Sequence, residues 1–287
     1  MNRFSNRWVR DLAWVIASPP LVSKNVNDTY WWNHDNCLNE FTDCLPALLA
    51  LDKDPSPLIE HFDKLKSARL GLRFEHFIAY WLIISPNYQP LTQNLQIITP
   101  LKKGSHTHGE LDFIIRDTHT NTVIHLEVAV KFYLGSAPYE DPFRWFGTNT
   151  NDQLGKKVEH LQQHQTQLTT KFSPYLHERG YQIDERQCLL KGRLFYPEGS
   201  DAAPEGVSKN HLRGRWIQST KSIEDGVLYS IEKKDWLATL SEKDLISRSS
   251  QLAFSTSKRA RCYVHSNNKN EETDRIFHLP DNFIFPN

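Results

Sequence analysis

The chain has 287 residues, of which 39% are hydrophobic and 24% are charged, and its 34 basic residues balance its 34 acidic ones. Such a composition can bury a sizeable core, which excludes a wholly disordered chain. Zero net charge excludes a protein that binds nucleic acid by bulk positive charge. The longest apolar run near the N-terminus, residues 12–17, is too short for a membrane span, and the four cysteines form no CxxC pair. We therefore expect a cytoplasmic protein with no membrane contact.

The first third of the sequence predicts helices. A helical pattern covers residues 7–18 and ends at two prolines, and a long helical run covers residues 58–84 and stops before Pro86. The inward stripe of this run is apolar except at Glu75, and it consists of Leu65, Ala68, Leu72, Glu75, Ala79 and Leu82. A carboxylate in the middle of an inward stripe needs a compensating partner.

A β-hairpin is the clearest local pattern. Two β-branched and aromatic runs, residues 111–116 and 123–132, flank a polar turn, and a short strand is predicted before them at residues 95–100. A hairpin centred between residues 119 and 120 places Asp112 opposite Glu127. Lys131 shares the face of Glu127 because side chains alternate along a strand.

Further elements follow the hairpin. A helix is predicted over residues 152–171, with Leu154, Val158, Leu161 and Leu168 on one face, and strands are predicted at residues 187–196, 212–218, 260–264 and 275–279. We divide the chain into an N-terminal helical elaboration (1–57), a core (58–196) and a C-terminal extension packed on the core (197–287).

The acidic residues of the hairpin and helix predict a metal site. Burying an unpaired carboxylate costs several kcal/mol, so Glu75, Asp112 and Glu127 require a divalent metal or a nearby lysine. Hard oxygen ligands suit Mg²⁺, which can activate water and stabilise a phosphodiester transition state. A plain salt bridge between Glu75 and a lysine or arginine remains an alternative, as does a zinc site at His106 and His108.

These residues carry a family resemblance. The order Glu75, then Gly109-Glu110-Leu111-Asp112, then Glu127-Val128-Ala129-Val130-Lys131 resembles the PD-(D/E)XK nuclease-like superfamily, and the whole chain resembles an uncharacterised bacterial family within it. The resemblance implies an α/β fold with a restriction-endonuclease-like mixed sheet, flanked by helices in the core order αβββαβ. It also implies an N-terminal helical and a C-terminal β-rich elaboration.

The resemblance also implies roles for individual residues. Asp112 and Glu127 would bind Mg²⁺ or Mn²⁺, and Glu75 would bind a second metal or a metal-bound water. Lys131 would orient the attacking water, although the usual lysine position of the family is Ala129 here. Glu110 would support the ligands without binding the metal. The helix after the strands would bring Gln153 or Lys156 near the phosphate.

A basic stretch lies in the second half of the chain. Residues 186–221 hold seven Lys or Arg and three acids, for a net charge of +4, with Tyr196 and Trp216 interleaved. This pattern predicts that Arg193, Arg213 and Arg215 contact nucleic-acid phosphates, the alternative being a solvated charged face.

We therefore expect a Mg²⁺-dependent nuclease whose partner is nucleic acid, with DNA favoured and a homodimer as one arrangement used by such enzymes. A catalytically inactive module of the same fold, which binds nucleic acid or protein, is the alternative that Ala129 favours. A hydrolase of small phosphoesters is a third hypothesis, and it would require a closed pocket.

Overall fold

The computed structural model describes residues 3–23, 28–63, 65, 67–100, 104–218, 226–251, 254 and 258–286. The N-terminal part contains helices α1 (Arg7–Ala17), α2 (His34–Asp43), α3 (Leu45–Lys53), α4 (Ser56–Phe62) and α5 (Leu70–Ile84). A short strand, β1 (Thr29–Trp31), separates α1 from α2, so this part is not entirely helical. None of the helices in these ranges is long and apolar enough to cross a lipid bilayer.

The central part alternates strands with short helices. It contains β2 (Tyr88–Pro100), β3 (Ser105–Asp117), β4 (Val123–Gly135), β5 (Trp145–Phe146), α6 (Leu154–His160), α7 (Leu168–Lys171), α8 (Ser173–His177) and β6 (Glu185–Pro197). A 3₁₀ helix, Pro142–Arg144, precedes β5, and a π-helical segment, Leu161–Gln165, joins α6 to α7.

The C-terminal part is rich in strands. It contains β7 (Leu212–Ile217), β8 (Val227–Ile231), α9 (Glu242–Ile246), β9 (Ser250–Gln251), β10 (Arg261–Ser266) and β11 (Glu272–His278), with a 3₁₀ helix at Lys233–Asp235. Lys221, the last residue of the basic stretch, lies outside the described residues.

The described strands form one mixed sheet of eleven strands. Their order is β2-β3-β4-β6-β7-β11-β10-β8-β9, with β1 also paired to β6 and β5 to β4. The pairs β2–β3 and β3–β4 are antiparallel, whereas β4 and β6 are parallel. The elements from α5 to β6 follow the order αβββαβ when the short β5 is set aside and α6 to α8 are counted as one helical segment. The sheet continues from β6 into the C-terminal strands.

Helices cover both faces of β4. Val128 and Val130 pack into a large core with Phe77 of α5, whereas the alternate residues Ala129 and Tyr133 join a second core beneath α6. Because β4 is covered on both faces, its buried polar side chains, His125 and Glu127, must find their partners inside the protein.

The predicted helix over residues 58–84 is wrong, because the structure contains two helices, α4 and α5, in this region. The rings of Phe62 in α4 and Phe77 in α5 are 4.5 Å apart. One continuous helix would separate these residues by about 22 Å, at a rise of 1.5 Å per residue. Aromatic packing between the two helices thus requires the chain to turn between them.

Three other predictions need correction. The buried face of α5 is formed by Phe74, Phe77, Ile78 and Trp81, and Glu75 lies at its half-buried margin. The helix predicted over residues 152–171 is interrupted, because the N–H of Thr166 donates to the carbonyl of Leu161 in a wide π turn. Strand β2 is longer than predicted, since two register shifts obscure its alternating pattern.

Candidate active site

The candidate site lies where β3 and β4 separate. The ladder between them pairs Phe113 with Leu126, and the next opposed positions are Asp112 and Glu127, which confirms the predicted hairpin register. Beyond the Phe113–Leu126 pair, hydrogen bonds from backbone N–H groups to side-chain carboxylates connect the two strands. The N–H of Val128 donates to Oδ2 of Asp112 (2.9 Å), and the N–H of Asp112 donates to Oε1 of Glu127 (3.4 Å).

Both oxygens of the buried Glu127 carboxylate have hydrogen-bond partners. Nε2 of His125 lies 2.7 Å from Oε1, and Nε2 of Gln165 donates to Oε2 at 3.2 Å. Burial alone would raise the pKa of Glu127, but the hydrogen bonds from His125 and Gln165 outweigh it and lower the pKa. Glu127 is therefore an ionised carboxylate in a fixed orientation.

Gln165 also ties the two separating strands together. Its Nε2 atom donates to the carbonyl of Glu110 on β3 (3.2 Å) as well as to Glu127 on β4. The residue ends the π-helical segment, and such segments often occur at functional sites.

The pKa of Asp112 is shifted in the opposite direction to that of Glu127. Burial, followed by the neighbouring charge of Glu127, raises the pKa of Asp112 to about 8, with a smaller contribution from Glu75. The hydrogen bond from Val128 and the charge of Lys157 act in the other direction. Two carboxyl groups this close divide into one ionised and one protonated group at neutral pH unless a cation joins them.

Glu75 belongs to the same electrostatic cluster. Its pKa is raised first by burial and then by Glu110 and Glu127, while Lys157 lowers it. Glu110 itself accepts a hydrogen bond from Gln96 at 3.3 Å. The four acids named from the sequence thus lie near enough to influence one another, although they come from one helix and two strands.

A family model described as "Domain of unknown function (DUF1853)" matches residues 10–278. The chain belongs to the DUF1853 family. No curated protein and no solved structure matches it. The matched residues include α5, β3, β4 and α6, so the whole carboxylate cluster lies within the DUF1853 domain.

The lysine named from the sequence points elsewhere in this DUF1853 structure. Nζ of Lys131 lies 2.5 Å from Oδ2 of Asp152, whose other oxygen accepts a hydrogen bond from Tyr133 at 3.1 Å. The cation that acts on Asp112 and Glu75 is Lys157 of α6. Helical spacing contained the signal for it, because Lys157 follows Leu154 by three residues and precedes Leu161 by four.

The residues expected to contact nucleic acid are exposed or have other partners in the structure. Nε2 of Gln153 donates to the carbonyl of Phe143 (3.0 Å), and Lys156 is exposed on α6. Arg193 donates to the carbonyl of Arg213 (2.6 Å). Burial, followed by the charge of Arg275, lowers the pKa of Arg193 to about 10.

The two remaining arginines are partly exposed and bound to other side chains. The guanidinium of Arg213 stacks 3.7 Å from the ring centre of Tyr196 and lies 3.4 Å from Asp201. Arg215 pairs with Asp274. Any nucleic acid that used these arginines would have to compete with their present carboxylate partners.

The histidine pair considered as a zinc site has other contacts in the DUF1853 domain. The rings of His106 and His108 are 4.5 Å apart, and Nε2 of His108 lies 2.8 Å from the hydroxyl of Thr99. Burial, followed by His106, lowers the pKa of His108.

The donor set of the carboxylate pair suits Mg²⁺ or Mn²⁺. Within the described ranges, no group of three or more His, Cys, Asp or Glu side chains is arranged to hold a metal ion. Mg²⁺ nevertheless binds to proteins through one or two carboxylates and completes its shell with water and substrate phosphates. Asp112 and Glu127 supply two such carboxylates, and burial together with the charge of Glu127 raises the pKa of Asp112.

Proposed function

We propose that the chain is a metal-dependent nuclease of the PD-(D/E)XK nuclease-like type, which hydrolyses phosphodiester bonds in nucleic acid, with DNA as the expected substrate. The observation that carries this proposal is the carboxylate pair Asp112 and Glu127 at the separation of β3 and β4. The αβββαβ order around the pair supports it, because that is the order the superfamily resemblance implies.

In this proposal Asp112 and Glu127 hold Mg²⁺ or Mn²⁺, and Glu75 provides a third acceptor from α5. The bound ion would supply Lewis-acid activation of water and neutralise phosphate charge. His125 and Gln165 fix the orientation of Glu127, so this ligand is preorganised before the ion arrives.

Lys157 supplies positive charge at the proposed site. It favours the ionised forms of Asp112 and Glu75, which are the forms that bind a metal. Lys131 is 30% exposed and would have to leave Asp152 to approach a phosphate group.

One observation favours a second function, a non-catalytic module that binds nucleic acid or protein. Ala129 occupies the usual lysine position of the superfamily, and the charge of Lys131 is neutralised by Asp152. A protein that has lost catalysis would keep the fold and lose the lysine from the reaction centre in this way.

Cleavage assays on single-stranded, duplex and branched DNA and RNA, with Mg²⁺, Mn²⁺ or a chelator, test the proposal. We expect metal-dependent cleavage that falls at least about a hundredfold in Asp112→Asn and Glu127→Gln, since each change removes a metal ligand. Glu178→Gln, which changes an exposed acid outside the cluster, serves as the matched control and should cleave like the wild type. Cleavage that survives in both ligand variants would refute the nuclease assignment, and metal-independent binding without cleavage would support the module.

A further inference from the structure

A polar cavity lies at the turn of the β3–β4 hairpin, away from the carboxylate pair. Its volume is about 270 Å³, and it is bounded by α2, the start of β2 and the hairpin turn. Asp117, on its wall, is five residues along β3 from Asp112, a distance of about 17 Å at the usual strand rise. The cavity is therefore separate from the proposed active site.

Three carboxylates line this cavity, and the most buried is Glu40, which is only 6% exposed. Glu40 accepts hydrogen bonds from the hydroxyl of Ser85 (3.1 Å) and from Nδ2 of Asn87 (2.8 Å). The same Nδ2 atom donates to Asp43 at 2.9 Å. These neutral donors satisfy part of the acceptor capacity of the two carboxylates and leave their charge uncompensated.

Among the described residues, no lysine or arginine lines the cavity. In the part of the chain that the structure describes, no lysine or arginine forms a salt bridge with Glu40, Asp43 or Asp117. The nearest basic side chain on the wall is His119, whose Nε2 atom contacts Oδ1 of Asn87 at 2.9 Å. A buried carboxylate without a cationic partner is costly unless it is protonated or a cationic ligand binds beside it. The pKa of Glu40 is accordingly raised, first by burial.

Aromatic rings and amides complete the wall and narrow the class of ligand. Trp32 and Tyr88 line the cavity with ring centres 6.1 Å apart, and aromatic faces attract organic cations. The carboxylates do not form a metal cluster, since no group of three or more ligating side chains was found within the described ranges. A planar cation with several spread N–H donors matches separated carboxylate acceptors better than a point charge does.

We propose that this cavity binds a guanidinium group, carried by a small free molecule or by an arginine side chain of a peptide. A volume near 270 Å³ fits one such group with its aliphatic stem and is below the usual range for drug-sized ligands. The site requires no catalysis at Asp112 and Glu127, so it stands independently of the nuclease proposal.

Isothermal titration calorimetry with n-butylguanidinium tests the assignment, and n-butylammonium serves as the comparison because it differs only in its head group. We expect saturable binding of the guanidinium and weaker binding of the ammonium. Glu40→Gln and Asp43→Asn should each reduce the affinity at least about tenfold, because each removes a charge that faces the ligand. Asp35→Asn changes an exposed acid on the same helix that does not line the cavity and should leave the affinity unchanged.

N-acetyl-arginine amide separates the two sources of the guanidinium group. Binding as tight as that of n-butylguanidinium would indicate a peptide side chain, whereas binding at least about tenfold weaker would indicate a small free molecule. Three results would overturn the proposal: no saturable guanidinium binding at millimolar concentration, equal or tighter binding of the ammonium, or equal losses in Asp35→Asn and Glu40→Gln. If Glu40→Gln does not fold, Asp43→Asn, at an exposed position, carries the test.

Discussion

His125 and Glu127 form a buried pair on one face of β4, with Nε2 of the imidazole 2.7 Å from Oε1 of the carboxylate. The histidine is fully buried, and among the residues that the structure describes its Nδ1 atom has no hydrogen-bond partner. The imidazole therefore contacts the carboxylate through Nε2. This contact, together with the one from Gln165, explains why Glu127 stays ionised in a position where burial opposes charge.

Replacing His125 by phenylalanine should destabilise the protein by about 2–4 kcal/mol, because the buried carboxylate loses its shortest hydrogen bond while an aromatic ring still fills the site. Urea denaturation measures the loss. A double-mutant cycle with Glu127→Gln provides the control, since the cost of His125→Phe should shrink once the charge is gone. An unchanged cost in the Glu127→Gln background would show that packing, and not the pair, accounts for the effect.

The pKa of Asp112, raised to about 8, predicts how stability depends on pH in a chelator. Between about pH 4 and pH 8 the native protein keeps a proton on Asp112 that the unfolded chain has released. The folded state then binds more protons than the unfolded state. The contribution of this group to the free energy of unfolding is thus fully present at low pH and is lost as the pH rises through 8.

Asp112→Asn removes this titration while keeping an oxygen that can accept from the N–H of Val128. We expect the stability of the wild type, relative to this variant, to decline from pH 6 to pH 9 in urea denaturation with a chelator present. Added Mn²⁺ should restore the wild type at high pH and leave the variant unaffected, because the ion compensates the two negative charges. A difference between the two proteins that stayed constant with pH would contradict the proposed coupling of Asp112 to Glu127.

Lys157 and Lys156 are adjacent lysines with different expected effects. Removing the positive charge in Lys157→Met should raise the pKa of Asp112 further, because Lys157 is the cation that lowers it. The stability of Lys157→Met should therefore decline at a higher pH than that of the wild type, and its Mn²⁺ binding at neutral pH should be weaker. Lys156→Met, at the exposed neighbour, should behave like the wild type. The same shift in both variants would indicate a general effect of net charge.

Local patterns predicted the hairpin well, because two runs of β-branched and aromatic residues around a short polar turn leave few other registers for Asp112 and Glu127. The same patterns contain two further signals. Lys157 and Gln165 both fall on the inward stripe of the helical region, between Leu154 and Leu168, where an apolar residue is expected. A polar residue on such a stripe marks a position that faces the site.

Other features depend on contacts between residues far apart in the sequence, and no local pattern contains them. The turn between α4 and α5 results from the packing of Phe62 on Phe77. The basic stretch suggested free arginines, but Arg215 pairs with Asp274, 59 residues away, and Arg213 covers the ring of Tyr196. Charge counting cannot show which of these side chains already has a partner.

Gly192 offers a test of the parallel pairing that holds β4 against β6. It stands opposite Lys131 in the ladder, with φ of +145°, and a Cβ atom at this position would lie 1.7 Å from the carbonyl oxygen of Lys131. Both the backbone angle and the space exclude a side chain. Gly192→Ala should therefore cost about 3 kcal/mol or more, or prevent folding, because the two central strands would have to move apart.

Gly71, exposed in the first turn of α5, is the matched control. A Cβ atom there meets nothing within 4 Å. Gly71→Ala should leave the fold intact and raise stability by about 0.5–1 kcal/mol, because alanine loses less backbone freedom in a helix. Thermal and urea denaturation of the two variants measure the contrast. Equal stability of Gly192→Ala and the wild type would mean that β4 and β6 do not pair in this register, and the position of Glu127 over Cys188 would then have to be revised.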